Sequence, residues 1–332
     1  MNVYESIRGS ARIVDDVSFA IGRGQVFGLT GESASGKTTI GLSILRLLGN
    51  VQTESCDPQR QVSWNGATMS QRQITGGKIL FNGLDLLSLS EEEMMQHRGR
   101  DISMIFQNSI AAMHPLMTIG YQVGEPKEAH DKLKWEKIRE IVFSYLGRVE
   151  LPEAKLRYYH DPHCFSGGEG QRIMIAMALI CGPSLLIADE PTSSLDMTIQ
   201  RQVLELIKAL KREFGLSVLY ISHDIGVVFE MSDHVGIMYA GRIVECGNAR
   251  SVYQHPRHPY TIALRAAYPD IHGPRRRLKG LRGTPPMPFD RPRGCSFHPR
   301  CDYAKPQCRE KRPRDVEVES GHVVACLRVN EI

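Results

Sequence analysis

The sequence predicts an α/β fold built on a mainly parallel sheet, and three observations carry that prediction. Short, nearly continuous apolar runs recur along the chain, as strands buried on both faces require. One of them leads at once into a glycine-rich loop and then into a helical pattern. Another ends in two adjacent carboxylates.

The bulk numbers set the frame. The 332 residues suffice for one large α/β domain or two domains with an ample core. With 42% hydrophobic and 23% charged residues, the balance is that of an ordinary globular protein. No stretch approaches the roughly 20 apolar residues that cross a bilayer. The start, MNVYESIRGSARIV, lacks the basic residues and apolar run of a secretory signal, so the chain reads as cytosolic. A formal charge of +4 is too small and too scattered to point to nucleic acid. Its densest cluster, Arg275 to Arg277 with Lys279, reads as a solvated linker.

Gln25 to Leu29 is the first buried strand. It runs into GESASGKTT, Gly31 to Thr39, which fits the pattern G-x-x-x-x-G-K-[ST]. Ile40, Ile44, Leu47 and Leu48 then recur at helical spacing. Gly31 and Gly36 let the backbone through Glu32, Ser33, Ala34 and Ser35 curl, so that successive N–H groups face one anion. The helix offers its positive end to the same phosphates. Lys37 adds a full charge at the β/γ position, and the Thr38 hydroxyl, followed by Thr39, can join the coordination of Mg²⁺.

Ser184 to Ala188 is another buried strand, ending in Asp189-Glu190. Side chains alternate across a strand, so these neighbours take different tasks. Asp189 suits a Mg²⁺-bound water, and Glu190 is placed to polarise an attacking water near a γ-phosphate. A third strand, Ser217 to Ile221, leads into His223, at the ligand edge of such a sheet. Between the loop and the carboxylates, the strand-like DISMIFQ ends at Gln107, whose amide can ligate Mg²⁺ and report on the γ-phosphate.

CFSGGEGQRIMIAMAL, Cys164 to Leu179, and PTSSLD, Pro191 to Asp196, complete a series that resembles the ATP-binding subunits of ABC transporters over almost the whole chain. The former segment resembles that family's signature, with Ser166, Gly167, Gly168 and Glu169 at a helix N-terminus, a further anion-binding end. PTSSLD resembles its D-loop, with Ser194, Leu195 and Asp196. The resemblance implies a P-loop NTPase (RecA-like) core, an N-terminal antiparallel β portion, a helical insert subdomain and a small cysteine-bearing C-terminal extension. It implies ATP and Mg²⁺ as ligands, Thr38, Gln107 and Asp189 on the metal, and Glu190 and His223 in catalysis. It also implies head-to-tail pairing of two such subunits, each signature closing over the other's P-loop. There are departures. Glu169 stands where the common signature has Gln, and Gly170 where this branch usually has a basic residue. A carboxylate near phosphates is awkward unless it points outward. The family's first strand and adenine-stacking aromatic normally precede Val14 to Phe19, which leaves Tyr4 as the nearby candidate.

The expected cassette covers residues 1–250, with the helical insert at about 108–181, and the extension covers 251–332. In the family, the insert and the Gln107 loop form the groove for a coupling helix of the membrane subunit. Residues 51–77 read as a polar, looped insertion before a strand KILFNG, and Ala240-Gly241 joins VGIMY to RIVEC as a hairpin. In the extension, HPRHPYTIALRAAYP, GTPPMPFDRPRGCSFHPRC and HVVACL are similar to the oligopeptide/dipeptide (and nickel) branch of importers. Cys295, Cys301, Cys308 and Cys326 fall there with the spacing C-x5-C-x6-C-x17-C. Four soft thiolates suit an iron–sulfur cluster or zinc, and the tail has few apolar residues to bury. Some members that resemble this chain carry a [4Fe–4S] cluster at such a motif, which is the expectation here, with zinc or unoccupied thiols as alternatives.

The resemblance therefore implies an ATPase powering dipeptide or oligopeptide import from the cytoplasmic face of the cell membrane. Its partners would be a second ATP-binding subunit, two membrane permease subunits and, indirectly, an extracytoplasmic substrate-binding protein. Import of nickel or oligosaccharide, and a soluble ABC ATPase, are the alternatives. The absence of sustained heptads between Lys37 and Asp189 disfavours the DNA-repair members.

Overall fold

The computed structural model describes residues 2–6, 9–48, 72–268 and 280–332. Most of the polar stretch, residues 51–71, and the cluster of Arg275 to Arg277 with Lys279 lie outside the described residues. The chain divides into two units, one of residues 1–20, 27–88 and 223–332, the other of residues 21–26 and 89–222.

In the first unit, strand Val26–Thr30 is buried at every position, as its unbroken apolar character demands. It pairs in parallel with His234–Tyr239, Phe27 lying opposite His234 and Thr30 opposite Ile237. The expected hairpin follows. Ala240 (φ 46°) and Gly241 (φ 81°) turn the chain back into Arg242–Asn248, with Tyr239 opposite Arg242. The end of the chain then joins the same sheet: His322–Val324 pairs with Arg242–Asn248, and Val316–Glu319 with His322–Val324. A buried carboxylate ties this addition down. Glu245, with no exposed surface, accepts the N–H groups of Arg257 (2.8 Å) and His258 (2.9 Å) and sits 2.8 Å from His322 Nε2. Such a group is tolerated inside because its lone pairs are filled.

The N-terminal antiparallel portion is a three-stranded sheet of Gly9–Val14, Asn2–Ser6 and Arg72–Ile74. Its third strand falls in the stretch read as loop, because it is completed by a partner far away in sequence. The run KILFNG forms a two-stranded hairpin, Leu80–Phe81 with Leu84–Asp85, instead of one strand. Asn82 (φ 50°) and Gly83 (φ 87°) form the turn, the Asn-Gly pair that such hairpins favour.

In the second unit, Ser217–Ile221, Leu185–Asp189 and Ile102–Ile105 form parallel neighbours in that order. Residues 108–181 are largely helical, with Ile119–Asp131, Trp135–Arg148 and Gly167–Leu179 as the main elements. Ile138, Val142 and Leu146, spaced four apart, are fully buried and set the inner face of Trp135–Arg148. Helix Gly167–Leu179 is buried along most of its length, which fixes the position of its N-terminus. Among the described residues, no helix is long and apolar enough to cross a membrane.

Candidate nucleotide site

The glycine-rich loop joins strand Val26–Thr30 to helix Lys37–Ile44. Gly31 sits at φ 150°, and a Cβ there would lie 2.0 Å from the carbonyl oxygen of Met238. Gly36 caps the helix at φ 102°. Neither position accommodates a side chain without strain. Ser35 N–H donates to Glu32 O (3.3 Å), and Ser35 O accepts from Gly241 N–H (3.0 Å), so the hairpin turn braces the loop. Lys37 is buried, and its Nζ donates to Gly31 O (2.7 Å) and Glu32 O (3.0 Å). The ammonium is thus tethered at the loop itself, where the charge of a phosphate would meet it. Ser33, Ala34 and Thr38 are exposed, and Thr39 O accepts from the Ser43 hydroxyl (2.6 Å).

His223 is exposed and precedes Asp224, whose carboxylate caps helix Ile225–Met231 by accepting from Gly226 and Val227 N–H (3.0 and 3.2 Å). Tyr4 belongs to strand Asn2–Ser6; the placement of its side chain lies outside what is described.

In the second unit, Asp189 closes strand Leu185–Asp189 and is 2% exposed. Glu190 leaves the ladder at φ 50°, a left-handed conformation uncommon for residues other than glycine. Its N–H donates to Ile221 O (2.9 Å), and its carboxylate accepts from the Ser222 hydroxyl (3.3 Å). The two neighbouring carboxylates therefore part: one ends a strand, the other is turned to Ser222. Nothing in the sequence singled out Ser222. Gln107 is exposed between strand Ile102–Ile105 and the short helix Ser109–Ala112, which Asn108 caps. Within this unit the Gln107 amide and the Asp189 carboxylate are oxygen donors of the kind that suits Mg²⁺, as the Thr38 hydroxyl is in the first unit.

Ser166 caps helix Gly167–Leu179 in a full capping box. Its Oγ accepts from Glu169 N–H (3.4 Å) and donates to Glu169 Oε2 (2.9 Å), while Ser166 N–H donates to the same oxygen (2.9 Å). Arg157 pairs with the other carboxylate oxygen. Burial pushes the Glu169 carboxyl up, but the Ser166 N–H, the Arg157 guanidinium and the Ser166 hydroxyl outweigh it and hold the group below its ordinary value. The awkward carboxylate is thus folded back onto its own helix. Gly170 has a steric reason: a Cβ there would lie 2.6 Å from Ile110 Cγ1, which leaves no space for a basic side chain. In the D-loop, Ser194 is exposed, Leu195 lies 3.6 Å from where a Cβ of Gly167 would stand, and Asp196 caps helix Met197–Phe214 (3.0 and 3.1 Å).

The cysteine expectation needs correction. Cys295, Cys301, Cys308 and Cys326 line one cavity, yet among the described residues no group of three or more His, Cys, Asp or Glu is placed to hold a metal ion. The cavity measures about 20 Å³, near the size that holds a single water. Burial pushes the Cys295 thiol up to about 11 and raises Cys301 and Cys326 as well. Neither the [4Fe–4S] cluster nor zinc stands. The tail is held instead by strand pairing, the Glu245 node and an aromatic cluster of Tyr239, Tyr260 and Phe297.

Comparison with known proteins agrees with the motifs. Residues 14–193 match the ABC transporter family, and residues 244–308 match the family described as oligopeptide/dipeptide transporter, C-terminal region. The chain is 41% identical over 322 residues to a "Probable peptide ABC transporter ATP-binding protein" of Sinorhizobium fredii, covering 97% of this chain and 90% of the relative. It is 40% identical over 325 residues to the dipeptide transport ATP-binding protein DppD of Bacillus subtilis, covering 97% and 91%. Among solved structures, the dimeric structure of a bacterial ABC transporter cassette is similar in fold, with a TM-score of 0.60 at 24% identity, covering 75% of this chain and 99% of that one.

Proposed function

The chain belongs to the ABC transporter family, in the branch that carries an oligopeptide/dipeptide transporter C-terminal region, and from that premise we propose that it is the ATP-hydrolysing subunit of a peptide importer. The observation that supports this most is end-to-end likeness: relatives named for peptide or dipeptide transport match over 97% of the chain, extension included.

In this reading Lys37 and the backbone N–H groups from Gly31 to Thr39 bind the β- and γ-phosphates, and Tyr4 stacks on the adenine. Thr38, Gln107 and Asp189 would hold Mg²⁺, which supplies positive charge to the phosphate oxygens when bound. Glu190 accepts the proton of the attacking water, with Ser222 orienting its carboxylate, and His223 contacts the γ-phosphate. Ser166, Gly167, Gly168 and Glu169 close over the nucleotide of a second ATP-binding subunit, and Ser194, Leu195 and Asp196 line the same junction. Binding of ATP draws the two subunits together and hydrolysis releases them. This cycle drives two permease subunits on the cytoplasmic face of the membrane, which an extracytoplasmic binding protein supplies with solute. The working division is a cassette over 1–250 and an extension over 251–332.

Replacing Glu190 by Gln tests the chemistry. MgATP binding should persist while turnover falls about 100-fold or more. Unchanged turnover would remove Glu190 as the base.

A further inference from the structure

We propose that the C-terminal extension sets the affinity of the P-loop for nucleotide, with Arg300 as a positioning residue that neutralises Glu32. The proposal rests on the reading of Gly31 to Thr39 as the nucleotide cradle.

Glu32 is the first residue after Gly31, inside a loop whose task is to hold polyphosphate. An uncompensated carboxylate there repels the ligand. The structure compensates it from far along the chain. Arg300 meets Glu32 in a two-pronged ion pair, Nη1 to Oε2 at 2.5 Å and Nη2 to Oε1 at 2.9 Å. The Arg300 side chain is 5% exposed, so solvent screens the pair little. Tyr260, fully buried, accepts the Glu32 N–H through its hydroxyl at 2.9 Å. The Glu32 carbonyl meanwhile accepts from Lys37 Nζ. All three polar groups of this loop residue are therefore committed, two of them to the extension.

The extension is itself fixed where it makes this grip. Phe297, 2% exposed, packs against Tyr239 and Tyr260 at centroid distances of 5.2 and 5.3 Å. Arg300 also donates from Nε to Arg282 O (2.7 Å) and from Nη1 to the Tyr239 hydroxyl (3.3 Å). The guanidinium thus has its position set before nucleotide arrives. A planar fork that matches a carboxylate in this way is not replaceable by a simple ammonium.

The test is a set of variants in the full-length chain, Arg300→Gln, Glu32→Gln and the pair combined, with MgATP titrated at equilibrium and thermal unfolding followed alongside. Arg300→Gln should raise the Kd for MgATP about tenfold by leaving Glu32 uncompensated. Glu32→Gln sets the reference for the pair, and the double variant should bind MgATP within about threefold of it, because no carboxylate is left for Arg300 to neutralise. An unchanged Kd in Arg300→Gln, or a double variant as weak as Arg300→Gln, overturns the proposal. So does a lowered melting temperature in all three with no change in Kd, since that marks a purely structural pair. Should Arg300→Gln not fold, Arg300→Met, which also removes the charge, carries the same comparison with Glu32→Gln, by the same criteria. Lys37→Ala separates the two readings: if it binds MgATP as tightly as the unaltered chain, the cradle reading fails whatever Arg300 does.

Discussion

Helix Lys37–Ile44 and helix Gly167–Leu179 both present an N-terminus suited to anions, yet they are secured by different means. The loop before the P-loop helix is gripped by Tyr260 and Arg300, which lie 228 and 268 positions from Glu32. The signature helix is secured by its own first turn, Ser166 with Glu169 three positions on, and by Arg157 twelve positions before Glu169. Each carries a glutamate where phosphate is expected, and each glutamate is neutralised by an arginine. The difference teaches where stability resides. The signature end is held by contacts close by in sequence, whereas the P-loop end is held by residues more than 200 positions away.

The heaviest blow to the P-loop end is Gly31→Ala. A Cβ 2.0 Å from a backbone carbonyl cannot be relieved by rotating a side chain, so a loss of about 3 kcal/mol or more in stability is expected from denaturant unfolding. MgATP binding should be lost with it.

Acid should separate the two ends. His258 Nδ1 accepts the Tyr260 N–H at 3.0 Å, which requires that nitrogen to be unprotonated. Burial pushes His258 down to about 4, only partly opposed by Glu245. The unfolded chain takes up this proton near pH 6.5 and the folded one near 4, so stability is full above about 6.5 and falls as pH drops toward 4. The total from this histidine is about 3 kcal/mol. Glu169, held below its ordinary 4.5, keeps its contribution above that value and loses it only as pH falls through its lowered one. Melting curves between about pH 7 and 4.5 should therefore show loss that His258→Gln flattens and Glu169→Gln leaves in place.

Smaller effects are expected at the signature. Glu169→Ala removes the capping box and should cost about 1 kcal/mol. Arg157→Ala breaks a partly exposed pair and should cost less than about 1 kcal/mol. A cost at either position equal to that of Gly31→Ala would erase the contrast between the two ends.

Sequence spacing carried the local parts of the site. The strand, loop and helix around Lys37, the strand ending at Asp189, the hairpin at Ala240-Gly241 and the serine-capped signature helix all rest on residues a few positions apart. What it missed is long-range. The strand Arg72–Ile74 exists through Asn2–Ser6, and the grip of Arg300 on Glu32 joins opposite ends of the chain. Glu169 looked electrostatically awkward because Arg157 sits outside the motif. The four cysteines misled for a related reason: spacing implied ligands, whereas among the described residues no group of three or more is placed to hold a metal ion.

That both helix ends serve nucleotide, one within the subunit and one across a pair, is tested most directly by Ser166→Arg in the complex proposed with the permease subunits. Equilibrium MgATP binding and steady-state hydrolysis would be measured on the same preparation, with thermal unfolding as a control. Binding within about twofold of the unaltered protein, together with hydrolysis reduced about 100-fold, is the expected result. Binding and hydrolysis lost in parallel in a folded protein, or hydrolysis left intact, would contradict it.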